Sequence, residues 1–314
     1  LSTAFVFPGQ GSQAVGMGRA LAEAFPIARE TFEEVDDALS QRLTRLMFEG
    51  PESDLVLTEN AQPALMAVSM AVLRVLTREG SLRLADKVAF VAGHSLGEYS
   101  ALAAAGALEL ADAARLLKRR GQAMQAAVPV GEGAMAALLG ADLAAATEIA
   151  AAATEGPSLC SPANDNAPGQ VVVSGHKAAV DRAMALAAER GFRRSVLLPV
   201  SAPFHCPLMQ PAAEAMQEAL AGIAMAPPAV PLVANVTARP VESPENIRRL
   251  LVEQVTGLVR WRESVLAMKE AGVHQLIELG AGKVLTGLAR RIDRELEVAA
   301  AGEPADIEAV LKRL

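Results

Sequence analysis

The segment Gly93-His94-Ser95-Leu96-Gly97 constrains this chain more than any other. An apolar run, Val88-Ala89-Phe90-Val91-Ala92, precedes it, and an Ala/Leu-rich stretch from Tyr99 to Ala107 follows it. Strand, Gly-x-Ser-x-Gly, helix is the context of a nucleophile elbow, which needs an α/β sheet to stand on. The glycines let the backbone turn sharply and leave the serine exposed at the tip. Its hydroxyl then lies at a helix N-terminus, where the N–H of Leu96 is free to bind an oxyanion. The plainer alternative is a helix N-cap serine between packing glycines.

The rest of the chain supplies such a sheet. Thr3 to Phe7 reads as a first strand and Pro8-Gly9-Gln10-Gly11 as a tight turn. A helical region runs from Val15 to Phe48, interrupted near Pro26. Pro63 to Arg78 predicts a helix with Leu65, Val68, Val72 and Leu76 on one face. Lys87 to Ala92 predicts the strand before the elbow, and Leu110 to Ala127 a helix.

The pattern then changes. Gly133–Leu139, Ser158–Pro162, Gln170–Ser174 and Arg194–Pro199 read as strands, with helices at Ala141–Ala153 and Lys177–Arg190. That β-α-β-β-α-β order is the split arrangement of a ferredoxin-like unit. After Ser201 the first pattern resumes, with strands at Val230–Val236, Gln275–Leu279 and Glu297–Ala301 and helices at Leu208–Ala224, Ile247–Val255, Trp261–Ala271 and Val284–Arg291. The fold class expected is α/β: a hydrolase-like, mostly parallel sheet domain over 1–129 and 200–314, with a small ferredoxin-like domain inserted at 130–199.

Composition narrows the function. With 314 residues and 52% hydrophobic content, the chain can build a large core. A net charge of −7 argues against a nucleic-acid footprint. No apolar run reaches the ~18 residues of a membrane span. Leu1 to Phe7 is too short for a signal peptide, and since the chain opens without Met, a residue or more is expected to precede it. The two cysteines, Cys160 and Cys206, have no metal-ligand spacing and suggest reduced thiols in a cytoplasmic protein.

Histidines are few: His94, His176, His205 and His274. His94 lies inside the elbow, facing away from where Ser95 points. His176 starts a helix, and His274 enters a buried strand. His205, in Ser201-Ala202-Pro203-Phe204-His205-Cys206-Pro207, directly follows a strand. Ligands of parallel α/β sheets bind beyond the carboxyl ends of the strands, so His205 is the base expected to reach Ser95.

Two glycine-rich turns are decoys. Gly9-Gln10-Gly11-Ser12-Gln13-Ala14 fits the dinucleotide fingerprint, but no second strand with an acidic residue follows ~20 positions on. It reads better as a loop of exposed N–H groups beside the elbow, supplying a second oxyanion donor. Gly280-Ala281-Gly282-Lys283-Val284 lacks a phosphate loop's first glycine, since Ile277 stands there, and its Ser or Thr after the lysine. Lys118-Arg119-Arg120 cannot share one helical face, and Lys118 and Arg119 read as solvated. Gln254, at the end of the acidic stretch Glu245–Glu253, reads as surface on pattern alone.

Three separated motifs together resemble a known family. They are Phe7-Pro8-Gly9-Gln10-Gly11-Ser12-Gln13, Gly93-His94-Ser95-Leu96-Gly97-Glu98-Tyr99, and Pro203-Phe204-His205 with Leu208-Met209. Arg120-Gly121, Asn164 with Pro168-Gly169-Gln170, Val252-Glu253-Gln254 and Gly280 to Leu285 add to the match. Along essentially its whole length the chain resembles the malonyl-CoA:acyl carrier protein transacylases of fatty-acid synthesis. The resemblance implies Ser95 as nucleophile and His205 as base. It implies an oxyanion hole of the Gln10 and Leu96 N–H groups, and Arg120 binding the malonyl carboxylate. Gln254 would orient His205 through its backbone carbonyl, in place of a carboxylate. Phe204 resembles malonyl-selective members.

The resemblance further implies malonyl-CoA and acyl carrier protein as partners, a monomer, and no cofactor or metal, the coenzyme A thioester being a substrate. Arg190, Arg193, Arg194, Arg290 and Arg291 are candidates for a basic carrier-docking patch. A serine acyl hydrolase or thioesterase would share the elbow but have no need of Arg120. A non-catalytic subunit would have no need of Ser95 and His205. A malonyl transferase of a polyketide or malonate decarboxylase system would share all of these residues.

Overall fold

The computed structural model describes residues 1–314. Strand β1 (Thr3–Phe7) leads through the turn at Pro8–Gly11 to helices α1 (Arg19–Ala24), α2 (Pro26–Leu39) and α3 (Leu43–Glu49). The short turn α4 (Glu52–Leu55) precedes the long α5 (Thr58–Gly80), and α6 (Leu84–Lys87) precedes β2 (Phe90–Gly93). Then come α7 (Gly97–Ala104), α8 (Leu110–Ala126), β3 (Gly133–Leu139), α9 (Leu143–Ala153), β4 (Cys160–Ala167), β5 (Gln170–His176), α10 (Lys177–Glu189) and β6 (Arg194–Leu197). A 3₁₀ turn at Pro207–Met209 opens α11 (Gln210–Ala221), followed by β7 (Leu232–Val233) and β8 (Pro240–Val241). The chain ends with α12 (Pro244–Thr256), α13 (Trp261–Glu270), β9 (Gln275–Leu279), α14 (Val284–Ile292), β10 (Glu297–Ala301) and α15 (Pro304–Leu311).

The larger sheet has the order β10-β9-β1-β2-β7-β8 and is parallel except for β8. All five residues of β1 are buried, which is why Thr-Ala-Phe-Val-Phe shows no polar alternation: a central parallel strand is covered on both faces. β1 pairs with β2 on one side and with β9 on the other, so the chain leaves their carboxyl ends in different directions. This is a topological switch point, where open α/β sheets place their ligands. The switch lies between β1 and β9, and beside it, at the carboxyl ends of β1 and β2, Phe7 is in register with Gly93 and the His94 N–H donates to the Phe7 carbonyl at 3.0 Å.

The second sheet, β4-β5-β3-β6, is wholly antiparallel and carries α9 and α10. Its order and its β-α-β-β-α-β connection are those of a ferredoxin-like unit. No helix is long and apolar enough to cross a membrane.

Local structure departs from the sequence expectations in several places. α5 starts at Thr58, not Pro63, because Thr58, Asn60 and Gln62 are buried in polar contacts that hold the earlier turn. Lys87 closes the turn α6, and the strand before the elbow starts only at Phe90. The strand expected at Val230–Val236 pairs only over Leu232–Val233, and the chain then turns through Asn235. β4 extends to Ala167 across two bulges, at Ala163 and Asn166, and the polar run Asn164-Asp165-Asn166 between its ends gives it the look of a loop.

Candidate active site

The elbow forms where β2 meets α7. A Cβ at Gly93 would lie 1.9 Å from the Gly97 carbonyl, so the turn can close only on a glycine there. Ser95 stands at φ 54°, in the left-handed region that a non-glycine residue adopts only when its surroundings enforce it. Two side chains do so: Asn235 Oδ1 accepts the Ser95 N–H at 2.9 Å, and Gln254 Nε2 donates to the Ser95 carbonyl at 2.9 Å. Asn235 is itself tied to the elbow by donating from Nδ2 to the Gly93 carbonyl at 2.8 Å.

His205 follows β6 in an irregular loop, also at positive φ, 55°. Its Nε2 lies 2.7 Å from Ser95 Oγ and its Nδ1 lies 2.8 Å from the Gln254 carbonyl oxygen. A carbonyl can only accept, so Nδ1 carries the proton and Nε2 is left as an acceptor for the serine hydroxyl. The imidazole is buried; burial, and then the charge of Arg120, push its pKa down to about 3. It is therefore neutral, the state a general base requires. No carboxylate takes the third place of a hydrolase triad.

Arg120 enters from α8 and is 1% exposed. Nη1 donates to Gln62 Oε1 at 2.7 Å; Nη2 donates to Gln254 Oε1 at 2.6 Å and to Ser95 Oγ at 3.0 Å. Its Nε–H is buried with no acceptor. A buried guanidinium whose hydrogen-bond partners are all neutral oxygens has no carboxylate paired with it beside the serine, which suits an incoming anion.

The turn after β1 lies against the elbow. A Cβ on Gly9 would stand 2.6 Å from the His94 carbonyl oxygen, and only glycine permits that approach. The N–H groups of Gln10 and Leu96 donate to no acceptor within the protein. The Gln10 side chain is held by the Thr58 hydroxyl at 2.9 Å.

The structure thus brings Ser95, His205, Arg120 and Gln254 into direct contact, with the Gln10 turn packed on the elbow. Gln254, a surface residue on pattern alone, is fully buried, because the inward face of amphipathic α12 carries it. Lys118 is not solvated: its Nζ donates to Gln41 Oε1 at 2.9 Å and to Asn60 Oδ1 at 3.1 Å. His94 turns away from Ser95, with Nε2 2.7 Å from Asn166 Oδ1 and its ring against Trp261. His176 accepts the Leu159 N–H, and His274 is exposed ahead of β9 rather than buried within it. Neither decoy turn is a phosphate cradle. No helix starts in the Gly9–Ala14 turn, and at α14 the Glu278 carboxylate already takes the Leu285 and Thr286 N–H groups.

Sequence reasoning does not reach Gln62, Glu98 or Asn235. Glu98 lies within the Gly93–Tyr99 motif, which by itself gives it no role. Asn235 gave no signal, because its partner lies 140 residues away.

A family model described as the acyl transferase domain matches residues 4–310. The malonyl CoA-acyl carrier protein transacylase of Escherichia coli K12 is 47% identical over 309 residues, 98% of each chain. The acyl-carrier-protein-S-malonyltransferase structure from Bartonella henselae is 57% identical, with a TM-score of 0.97 over 100% of this chain and 99% of that one. A malonyl-transacylase solved in complex with its type II PKS acyl-carrier protein is 43% identical, with a TM-score of 0.96 over the whole of both chains.

Proposed function

The chain belongs to the acyl transferase family, and from that membership and the geometry around Ser95 we propose how it moves a malonyl group from coenzyme A to the phosphopantetheine thiol of acyl carrier protein. In this reading His205 Nε2 takes the Ser95 proton as Oγ attacks the malonyl thioester carbonyl. The Gln10 and Leu96 N–H groups receive the developing oxyanion; one such donor is typically worth about 2.7–4 kcal/mol. The C–S bond then breaks, and His205 returns the proton to the coenzyme A thiolate. The carrier thiol enters, gives its proton to His205 and attacks the malonyl-Ser95 ester. The tetrahedral adduct collapses with the proton going back to Ser95 Oγ.

Arg120 selects the acyl group. Its planar fork pairs with a carboxylate at two points, which acetyl cannot offer. Gln254 fixes the His205 ring through its carbonyl. The single observation that carries the reading is the 3.0 Å contact between Arg120 Nη2 and Ser95 Oγ in a buried site. A simple acyl hydrolase has no use for a buried arginine on its nucleophile. The same reading has the enzyme act as a cytoplasmic monomer without cofactor or metal, its free, buried Cys160 and Cys206 reduced. The carrier would dock on exposed arginines among Arg190, Arg193, Arg194, Arg290 and Arg291.

The test is intact-mass spectrometry after mixing with malonyl-CoA. One malonyl group should map to the Ser95 peptide, be absent in Ser95→Ala, and leave when holo acyl carrier protein is added. An adduct elsewhere, or release of free malonate in place of transfer, would overturn the reading.

A further inference from the structure

Ser95 is gripped on both its peptide groups, and both grips end on one carboxylate. Glu98 Oε1 accepts from Gln254 Nε2 at 2.8 Å and from the Asn235 N–H at 3.2 Å. Those are the two residues that hold the Ser95 carbonyl and N–H. Glu98 is 1% exposed and its Oε2 has no partner. Burying a carboxyl group so is unfavourable, and simple packing would be served better by an apolar residue. Burial raises its pKa to about 7, against the opposing influence of Gln254, Asn235 and Arg120.

The Gln254 amide is the connection to the substrate site. Its nitrogen only donates and its oxygen only accepts. With Nε2 turned to Glu98 and the Ser95 carbonyl, Oε1 faces Arg120 Nη2 at 2.6 Å. The reversed amide would set N–H against the guanidinium and oxygen against the Glu98 carboxyl. The acceptors on Glu98 and on the Ser95 carbonyl together set which way the amide points, and the amide, with Gln62, sets where Arg120 is held.

We propose that Glu98 is a positioning residue for malonyl selectivity: by accepting from Gln254 and Asn235 it keeps the Arg120 guanidinium against Ser95 Oγ. Glu98 touches no substrate atom and acts through Gln254. The inference rests on Arg120 being the malonyl-binding group.

Wild type, Glu98→Gln, Glu98→Asp and Glu98→Ala are compared for kcat/KM with malonyl-CoA and with acetyl-CoA. A neutral fluorophosphonate reports the Ser95–His205 pair with a reagent that has no carboxylate for Arg120 to bind. Glu98→Gln keeps an acceptor oxygen in place, and its malonyl-over-acetyl ratio should stay within about threefold of wild type. Glu98→Asp withdraws the acceptor by one methylene, and Glu98→Ala removes it. In both the ratio should fall by roughly 10–100-fold, the effect of losing a hydrogen bond to a charged group. Fluorophosphonate labelling should change much less. Equal loss for both acyl groups in Glu98→Asp and Glu98→Ala, or a ratio in Glu98→Gln as low as in Glu98→Ala, overturns the proposal. A wild type with no preference for malonyl overturns instead the reading of Arg120 on which it rests.

Discussion

Two cores in this molecule are built on opposite terms. The core of the antiparallel sheet joins Ala136, Leu138, Ile149, Val171, Val173 and Val180 with other residues of β3, β4, β5, α9 and α10, and every member of this cluster is apolar or a cysteine. The centre beneath the elbow buries Gln62, Glu98, Arg120, His205, Asn235 and Gln254, all 3% exposed or less. The first core needs only volume and alternation, so many sequences can fill it. The second is held by directed hydrogen bonds in a low-dielectric setting, where each group depends on the others. The difference separates stability from chemistry: a change in the first should alter how firmly the chain folds, and a change in the second what the folded chain does.

The sharpest break in that contrast is at His205. Removing a general base typically slows a reaction ~10²–10⁴-fold, so His205→Ala should slow both malonylation of Ser95 and transfer to the carrier by that order. Rapid-quench measurement of each half-reaction checks it; loss in only one would assign the other to a different base. The pH profile sharpens the same point. His205 has a pKa pushed down to about 3, so the acid limb of serine acylation should lie well below the ordinary histidine value of about 6.5. Below about pH 6.5 the unfolded chain takes up a proton that the folded chain refuses, so stability should fall as pH drops from there toward the folded value. An acid limb at the ordinary histidine pKa would show the imidazole to be solvated.

Arg120 comes next in size. Removing one partner of a buried carboxylate–guanidinium pair costs about 3–5 kcal/mol, or roughly 150–5,000-fold in rate. Arg120→Ala should lower malonyl transfer by that order and leave acetyl transfer comparatively unharmed. The ratio of the two kcat/KM values is the measurement. If both fall together, Arg120 belongs with the stabilising core and not with the chemistry.

The two cores also differ in how far the sequence reveals them. The strand Gly133–Leu139 reads to the residue, and so do β9 and β10, because their apolar runs end at glycine or polar breaks. Ser95 is legible because a turn that needs glycine is a local event. The strand before His205, β6, belongs instead to the antiparallel sheet and ends at Leu197, so the strand-end rule for parallel sheets does not account for where His205 sits. The hidden partners are not local: Asn235 reaches Ser95 across 140 positions, and Gln254 reaches Glu98 across 156. Nothing next to Asn235 marks it, since the register that delivers it depends on a two-residue strand. The final helix α15 is a different miss. Pro304 at its first turn and the reciprocal Glu303–Asp306 cap are standard start signals, so this helix is legible in the sequence although no expectation covered it.

The smallest effect on chemistry should come from the apolar core itself. Ile149 on α9 is fully buried there, and truncating it leaves a cavity that neighbours fill only in part. Ile149→Ala should lower the melting temperature by roughly 3–8 °C, as a loss of about 2–5 kcal/mol would in a chain of this size. At temperatures where the variant stays folded, kcat/KM for malonyl transfer should change by less than about twofold. The antiparallel sheet reaches the elbow at the 2.7 Å contact between His94 and Asn166 on β4, and that is one place where the separation could fail. If Ile149→Ala cuts malonyl transfer tenfold while the fold remains intact by circular dichroism, the strain has travelled through β4 into the elbow. Asn166→Ala should then reproduce the loss without the drop in melting temperature.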